Sequence, residues 1–303
     1  MIIYVKNSIF ESNAQVLVNA VNTVGIMGKG IAKDFKKLYP DMFMSYQKYC
    51  ESGDFSIGKL QLYKTKNHWI LNFPTKKDWR NPSNIEYIEL GLKKFVDNHQ
   101  RLGITSVSFP MLGCGNGGLE WATVKPLMEK YLKPLPIKVY IHEFQDSNKS
   151  PEHTNKKEIE DWLKNEPVFL STQEFINQLK EKTGSLVRYS FKFNDEIITV
   201  EWDCNEFGVA VILIGRNYLL TIDENTISNI WLSLRTGSIV SAKQLPFSLA
   251  QEASLVFTFL SQLEYIALAS YADSNGKEDN GIRLLPHKQP ASKEKPQTVV
   301  ING

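Results

Sequence analysis

Two glycine-rich loops, each leaving an apolar strand and each opening a helix, constrain this chain more than any other feature. The first holds Gly25, Gly28 and Gly30 between the apolar run 15–21 and a helical period that begins at Ile31. The second follows the apolar run 106–112 as Gly113-Cys114-Gly115-Asn116-Gly117-Gly118, after which Leu119, Glu120 and Trp121 open a helix. Glycine permits positive φ and lets the backbone approach a ligand with no Cβ in the way, so successive N–H groups ahead of a helix can surround an anion. One such loop is ordinary turn chemistry. Two at the same kind of strand-to-helix junction read as one diphosphate-bearing nucleotide gripped from both sides.

Neither loop fits the better-known phosphate motifs. The chain has no Gly-x-x-x-x-Gly-Lys-Ser/Thr, and Gly28-Lys29-Gly30 lacks the third glycine of a dinucleotide fingerprint. Around the loops the first half alternates between the two hydrophobic periods. Strands are predicted at 2–6, 15–21, 60–64, 69–73, 104–109 and 137–144, with helices at 31–37, 41–50, 85–95 and 119–131. Residues 65–68 read as a hairpin, and Ser83 or Asn84 can cap the helix whose stripe is Ile85, Ile88, Leu92 and Phe95. This alternation predicts an α/β sandwich with its ligand loops at strand ends.

The segment Phe73-Pro74-Thr75-Lys76-Lys77-Asp78-Trp79-Arg80 presents three cations around one indole. It reads either as a solvated basic loop or as the seat of a reactive lysine, since a neutral amine beside a sugar C1″ can attack it. One residue of strand register exchanges the faces of Lys76 and Lys77.

Asn19-Ala20-Val21-Asn22 with the Gly25–Gly30 loop, Phe73-Pro74-Thr75-Lys76, and the run from Pro110 to Trp121 together resemble the macrodomain family, the ADP-ribose-binding α/β module. Within that family residues 1–145 are most similar to the DNA ADP-ribosyl glycohydrolase antitoxins, which are paired with a DNA-modifying toxin. The resemblance implies a three-layer sandwich with a mixed central sheet and a hydrolase that uses no metal or redox cofactor. It implies that Lys76 is catalytic and that Asn22 orients the distal ribose. ADP-ribose would be held by Asn7, Ser8, Ile9, Gly28, Lys29, Gly30, Ile31, Thr75, Leu112, Gly113, Cys114, Gly115, Asn116, Gly117, Gly118 and Leu119. Lys77, Trp79 and Arg80 would grip the DNA by phosphate contact and stacking. Two departures stand out. The Asp that many macrodomains place after the first strand for adenine N6 is missing, leaving Asn7 or Ser8. The second-loop Asp that helps release the intermediate in terminal ADP-ribose glycohydrolases is here Gly117. His68 and His99 are poor substitutes for it. Glu120 suits the first turn of a helix whatever the function, Trp121 reads as a core residue, and Cys114 as a small residue that fits its loop.

Charge separates the two halves. Residues 1–145 carry 19 basic and 12 acidic side chains, a net of +7, whereas residues 146–303 carry 16 and 21, a net of −5. A basic first half suits a polyphosphate or nucleic-acid substrate, and an acidic second half suits a basic protein partner. No run approaches the roughly 20 apolar residues of a membrane span. The N-terminus has a strand's character, with no secretory leader. Cys50, Cys114 and Cys204 are odd in number and far apart, which argues against a disulfide framework or a zinc site and fits a cytoplasmic location.

The second half is expected to comprise a linker at 146–165 with a helical start at 156–164, a smaller α+β partner-binding domain at 166–272, and a disordered tail at 273–303. Predicted within it are a helix at 172–183 capped by Ser171, strands at 186–193, 197–203, 209–214 and 218–222, and helices at 226–235 and 247–268. It shows no nucleophile–base pair, metal spacing or phosphate loop, so binding is expected of it; by position in the resembled family it would hold the cognate ADP-ribosyltransferase toxin. The function expected overall is hydrolytic removal of ADP-ribose from a nucleobase, thymidine by resemblance, in DNA that is single-stranded. The alternatives are a reader that binds ADP-ribose without cleaving it, and an antitoxin acting mainly by direct toxin binding.

Overall fold

The computed structural model describes residues 1–143, 163, 166–184, 189–205, 208–272, 278–285 and 297–301. The chain divides into two compact units, Met1–Leu163 with Gln289–Gly303, and Lys164–Lys288. Most of the predicted linker and its helical start lie outside the described residues.

The first unit contains β1 (Ile2–Val5), β2 (Val16–Val21), α1 (Gly30–Leu38), α2 (Pro40–Glu51), β3 (Leu60–Lys64), β4 (Trp69–Pro74), α3 (Ile85–Asn98), β5 (Ser106–Pro110), α4 (Trp121–Leu132) and β6 (Lys138–His142). They form one mixed sheet in the order β1-β6-β5-β2-β4-β3, extended beyond β3 by the strand Gln297–Ile301. All pairings from β1 to β4 are parallel, whereas β3 runs antiparallel to β4 and to the last strand. Thr65 and His68 close the β3–β4 hairpin through the bond from Thr65 N to His68 O.

Side chains alternate across a strand, so each buried strand feeds two layers. Val16, Val18, Leu71, Phe73, Val107 and Phe109 pack with Ile88, Leu92 and Phe95 of α3 and Val124, Met128 and Leu132 of α4. The opposite parity carries an amide ladder. Asn19 Nδ2 donates to Asn72 Oδ1 at 2.9 Å, and Asn72 Nδ2 donates to Gln61 Oε1 at 2.9 Å and toward Met42 Sδ of α2. Helices therefore cover both faces, and the amides are satisfied mainly by each other, as burial requires. Asn84, rather than Ser83, caps α3, accepting from Glu86 N at 2.9 Å.

A second set of polar pins ties the end of β6 to its neighbours. His142 Nδ1 donates to the Asn7 carbonyl at 3.0 Å, and its Nε2, an acceptor when the ring is neutral, lies 3.2 Å from the Ser108 hydroxyl. Ser108 Oγ in turn takes the Ser12 hydroxyl at 2.7 Å. Burial holds the pKa of this imidazole below the ordinary histidine value, against the opposing effects of the Asn7 bond and the Glu11 carboxylate, and so favours the neutral form.

The second unit contains α5 (Thr172–Gly184), β7 (Tyr189–Phe193), β8 (Glu196–Asn205), β9 (Gly208–Ile214), β10 (Leu219–Asp223), α6 (Glu224–Arg235), β11 (Val240–Ser241), α7 (Phe247–Ala250), α8 (Ala253–Leu260), β12 (Ile266–Ala272) and β13 (Glu278–Leu284). It has a four-stranded antiparallel sheet, β10-β9-β8-β7, and a three-stranded one, β11-β13-β12. Ser171 Oγ accepts from Glu174 N at the start of α5, and Asn194 takes positive φ in the β7–β8 turn. Phe175 stacks on Trp231 with centroids 4.3 Å apart, joining α5 to α6.

Two expectations fail here. The apolar stretch 247–268 is not one helix: turns at 251–252 and 261–265 break it, and Ile266–Ala272 becomes a strand. Its composition suits a helix or a strand alike, and β13 offers a ladder along all seven residues of the strand. The region 273–303 is not a tail throughout, since β13 and Gln297–Ile301 both pair in sheets and Ile282 is fully buried. Polar composition concealed β13 because only alternate residues of a half-buried strand need be apolar.

Two outcomes are expected. Gly91 lies in α3, where Ala would ordinarily stabilise a helix, but a Cβ there would stand 2.5 Å from Phe73 Cε1 in a packed core. Gly91→Ala should therefore destabilise by about 1–3 kcal/mol in urea unfolding, whereas relief from helix propensity alone would stabilise by about 1 kcal/mol. The unfolded chain binds a proton at position 142 at higher pH than the folded chain does. Stability should therefore fall as pH drops below about 6.5, until the depressed folded pKa is passed. His142→Gln should flatten that slope between pH 7.5 and 5, and an unchanged slope would show that the imidazole is not held neutral.

Candidate functional site

A cleft of about 820 Å³ runs along the carboxyl ends of the parallel strands. Strand order sets its layout: Ser8, Ile9 and Phe10 follow β1, His142 ends β6, the second glycine loop follows β5, the first follows β2, and Thr75 and Lys76 follow β4. A row of strand ends thus becomes a row of subsites.

The first loop is shaped by Asn22. Its Oδ1 accepts from Val24 N at 3.1 Å, Ile26 N at 3.2 Å and the Tyr46 hydroxyl at 3.0 Å, while its Nδ2 donates to Ile26 O at 2.7 Å. Asn22 lines the cleft, yet most of its hydrogen-bonding capacity goes into folding the loop. Gly30 has φ +58°, and a Cβ on it would come within 3.2 Å of Asn116 Cγ, so the two loops touch at this point. Lys29, Gly30 and Ile31 line the cleft, whereas Gly28 is buried behind it.

The second loop is braced from outside by Ser83. Ser83 N donates to Gly117 O at 2.9 Å, and a Cβ on Gly117 would lie 2.8 Å from Ser83 Cβ. The position where a carboxylate is missing thus has no room for a side chain in this packing. Gly113, Cys114, Gly115, Asn116, Gly117, Gly118 and Leu119 all line the cleft; Leu112 points into the core and does not. Burial, and then the Glu120 carboxylate, push the Cys114 thiol up to about 12, so it stays protonated and is no nucleophile.

Lys76 is 5% exposed and donates from Nζ to the Asn116 main-chain oxygen at 3.1 Å. Lys77 is exposed, with its Nζ 6.0 Å from the Tyr87 ring centre and its carbonyl taken by Thr23. The register therefore turns Lys76, and not its neighbour, into the cleft. Trp79 corrects the sequence reading: it is 1% exposed, beneath the Arg80 guanidinium at 4.2 Å, and offers no surface for a base to stack on. Its predicted DNA contact is withdrawn. Arg80 itself pairs with Asp78 at 3.5 Å. Asn7 also corrects it in part, being exposed outside the cleft and contributing its carbonyl to His142.

Several lining residues were not read from the sequence as ligand contacts: Phe10, Asp34, Met111, Glu120, Trp121 and His142. Glu120 and Trp121 were read as structural, and no local signal marked His142, because only β6–β5 pairing brings it beside Ser108.

Comparison with known proteins bears on the first half of the chain. A family model for the macro domain matches residues 18–128. A DNA ADP-ribosyl glycohydrolase of Thermus aquaticus is 43% identical over 47% of this chain and 41% of its own length. One of Mycobacterium tuberculosis is 44% identical over 45% and 40%. A DNA ADP-ribosyl transferase-DNA ADP-ribosyl glycohydrolase fusion protein of Thermosipho africanus is 42% identical over 46% and 40%. The solved macrodomain of Thermus aquaticus DarG is 43% identical, covering 47% of this chain and 98% of that one, with a TM-score of 0.46. The chain thus spans about two fifths of the length of the curated relatives it matches. The N-terminal half of this chain is a macro domain.

Proposed function

We propose that this chain hydrolyses the bond between ADP-ribose and a nucleobase in DNA, thymidine by family resemblance, and so serves as the antitoxin of a DNA ADP-ribosylating toxin. The observation that carries the reading is Lys76, buried between the two glycine loops with its Nζ on the Asn116 carbonyl. The names of its relatives support the reaction class and the kind of bond.

In this reading the diphosphate lies against the N–H groups of both loops, which fixes the distal ribose between Asn22 and Lys76. Lys76 then acts at C1″, either as an amine that attacks it or as an ammonium that polarises it. The N-glycosidic bond breaks, the base leaves with the bonding electron pair and gains a proton, and water adds its hydroxyl to C1″, displacing the lysine nitrogen where the amine has attacked, to give free ADP-ribose and the free lysine. Lys77 and Arg80 contact the phosphates of a single strand on either side of the modified base. The second unit holds the cognate toxin, a role supported by position and by the acidic balance after residue 145; the fused relative joins the two activities in one chain.

The crowding at Gly117 favours a second reading, a reader that binds ADP-ribose and does not cleave it. Release of free ADP-ribose from ADP-ribosylated single-stranded DNA separates the two. Lys76→Ala should cut release by about 10²-fold or more while ADP-ribose affinity stays within about threefold, and Lys77→Ala should retain turnover at saturating DNA while binding the strand more weakly. Undiminished release by Lys76→Ala would remove the lysine from the chemistry, and a wild type that binds but releases nothing would favour the reader.

A further inference from the structure

Glu120 stands at the N-cap of α4, where an acidic side chain ordinarily accepts from the first N–H groups of its helix, yet it makes no such bond. It is solvent-exposed and is among the residues that line the cleft, beside Trp121. It lies close enough to Cys114 to help keep that thiol protonated. Trp121 is itself fixed, its Nε1 donating to Glu143 Oε1 at 3.0 Å, just past the end of β6. Glu120 is thereby bracketed between the β6 end of the cleft and the Gly113–Gly118 loop that follows β5. The other cleft carboxylate, Asp34, comes from α1 after the first loop.

The order of strand ends assigns this interval to a particular part of the ligand. With the diphosphate in the two loops and C1″ at Lys76, the other end of the nucleotide extends toward Ser8 and His142, and its ribose falls between the base and the phosphates. A ribose presents two adjacent hydroxyls there, and an ionised carboxylate, with two oxygens and no donor, accepts from both. The same carboxylate repels a phosphate placed on either hydroxyl, because like charges at contact distance are strongly unfavourable.

We infer that Glu120 is a specificity-determining residue that accepts the 2′,3′-diol of the adenosine ribose and excludes nucleotides bearing a 2′-phosphate. The inference rests on the ADP-ribose reading of the cleft. The test is calorimetric titration of the full chain, wild type and Glu120→Gln, with ADP-ribose, 2′-deoxy-ADP-ribose and 2′-phospho-ADP-ribose. The wild type should bind ADP-ribose at least about tenfold more tightly than either analogue. Glu120→Gln should weaken ADP-ribose about three- to tenfold and bring the 2′-phosphate analogue within about threefold of it. A merely structural role would weaken all three ligands together and leave their ratios unchanged. Unchanged ratios in a variant with wild-type thermal stability overturn the inference while the ADP-ribose reading stands. A folded wild type that binds none of the three overturns both.

Discussion

The hydrogen bond from Lys76 to the main chain of Asn116 depends on three segments far apart in sequence arriving together. Lys76 leaves β4, Asn116 sits in the loop after β5, and Asn116 in turn rests on Gly30 after β2. Parallel strands make this possible, because all of them finish on the same edge of the sheet. Positive φ at Gly30, Gly113 and Gly118 lets the loops turn so tightly that their backbones face the same space. A side chain at Gly30 would displace the Asn116 amide that joins the two loops. The two loops and the buried lysine are therefore parts of one packing unit.

Much of this was legible in the sequence because its causes are local. Apolar periodicity located β2, β4, β5 and the helices around them, and glycine spacing located both loops. Two kinds of information were not local. The faces of Lys76 and Lys77 depend on register, which a stretch of mixed basic residues leaves open. The burial of Trp79 depends on how the loop folds back, so an indole among cations looked like a stacking platform when Arg80 in fact lies over it. His142, Glu120 and Trp121 show the same limit: each reaches the cleft through tertiary pairing. In the second unit the longest apolar run misled, because its composition suits a buried helix and a buried strand equally, and only the presence of β13 decides between them.

The contrast between the units is chemical as well as topological. The first concentrates glycines, a buried lysine and amide-bearing side chains at one edge of a mostly parallel sheet. The described part of the second is antiparallel, joined across its helices by an aromatic stack, with Asp203, Glu201 and Asp223 exposed on its strands. A parallel sheet with covered faces offers its edge as a site, whereas an antiparallel one offers a face. The acidic balance of the second half is thus displayed where a broad surface, rather than a small molecule, would meet it.

The amide ladder across β2, β4 and β3 has a consequence for which lysine faces the cleft. Asn19 lies directly opposite Asn72, and Asn72 opposite Gln61, so the three amides meet in only one alignment of the strands. Apolar side chains there would pack in either of two neighbouring alignments, since a greasy surface has little directional preference. The ladder leaves Asn19 Oδ1 without a donor among the described residues, so it sacrifices some stability for a unique alignment. Sliding β4 by one residue would carry Lys76 to the surface and Lys77 inward. Which lysine enters the cleft is therefore decided four residues upstream of it, by buried amides that do not line the cleft, and a protein with every cleft residue intact could still lose this arrangement through a change at Asn72.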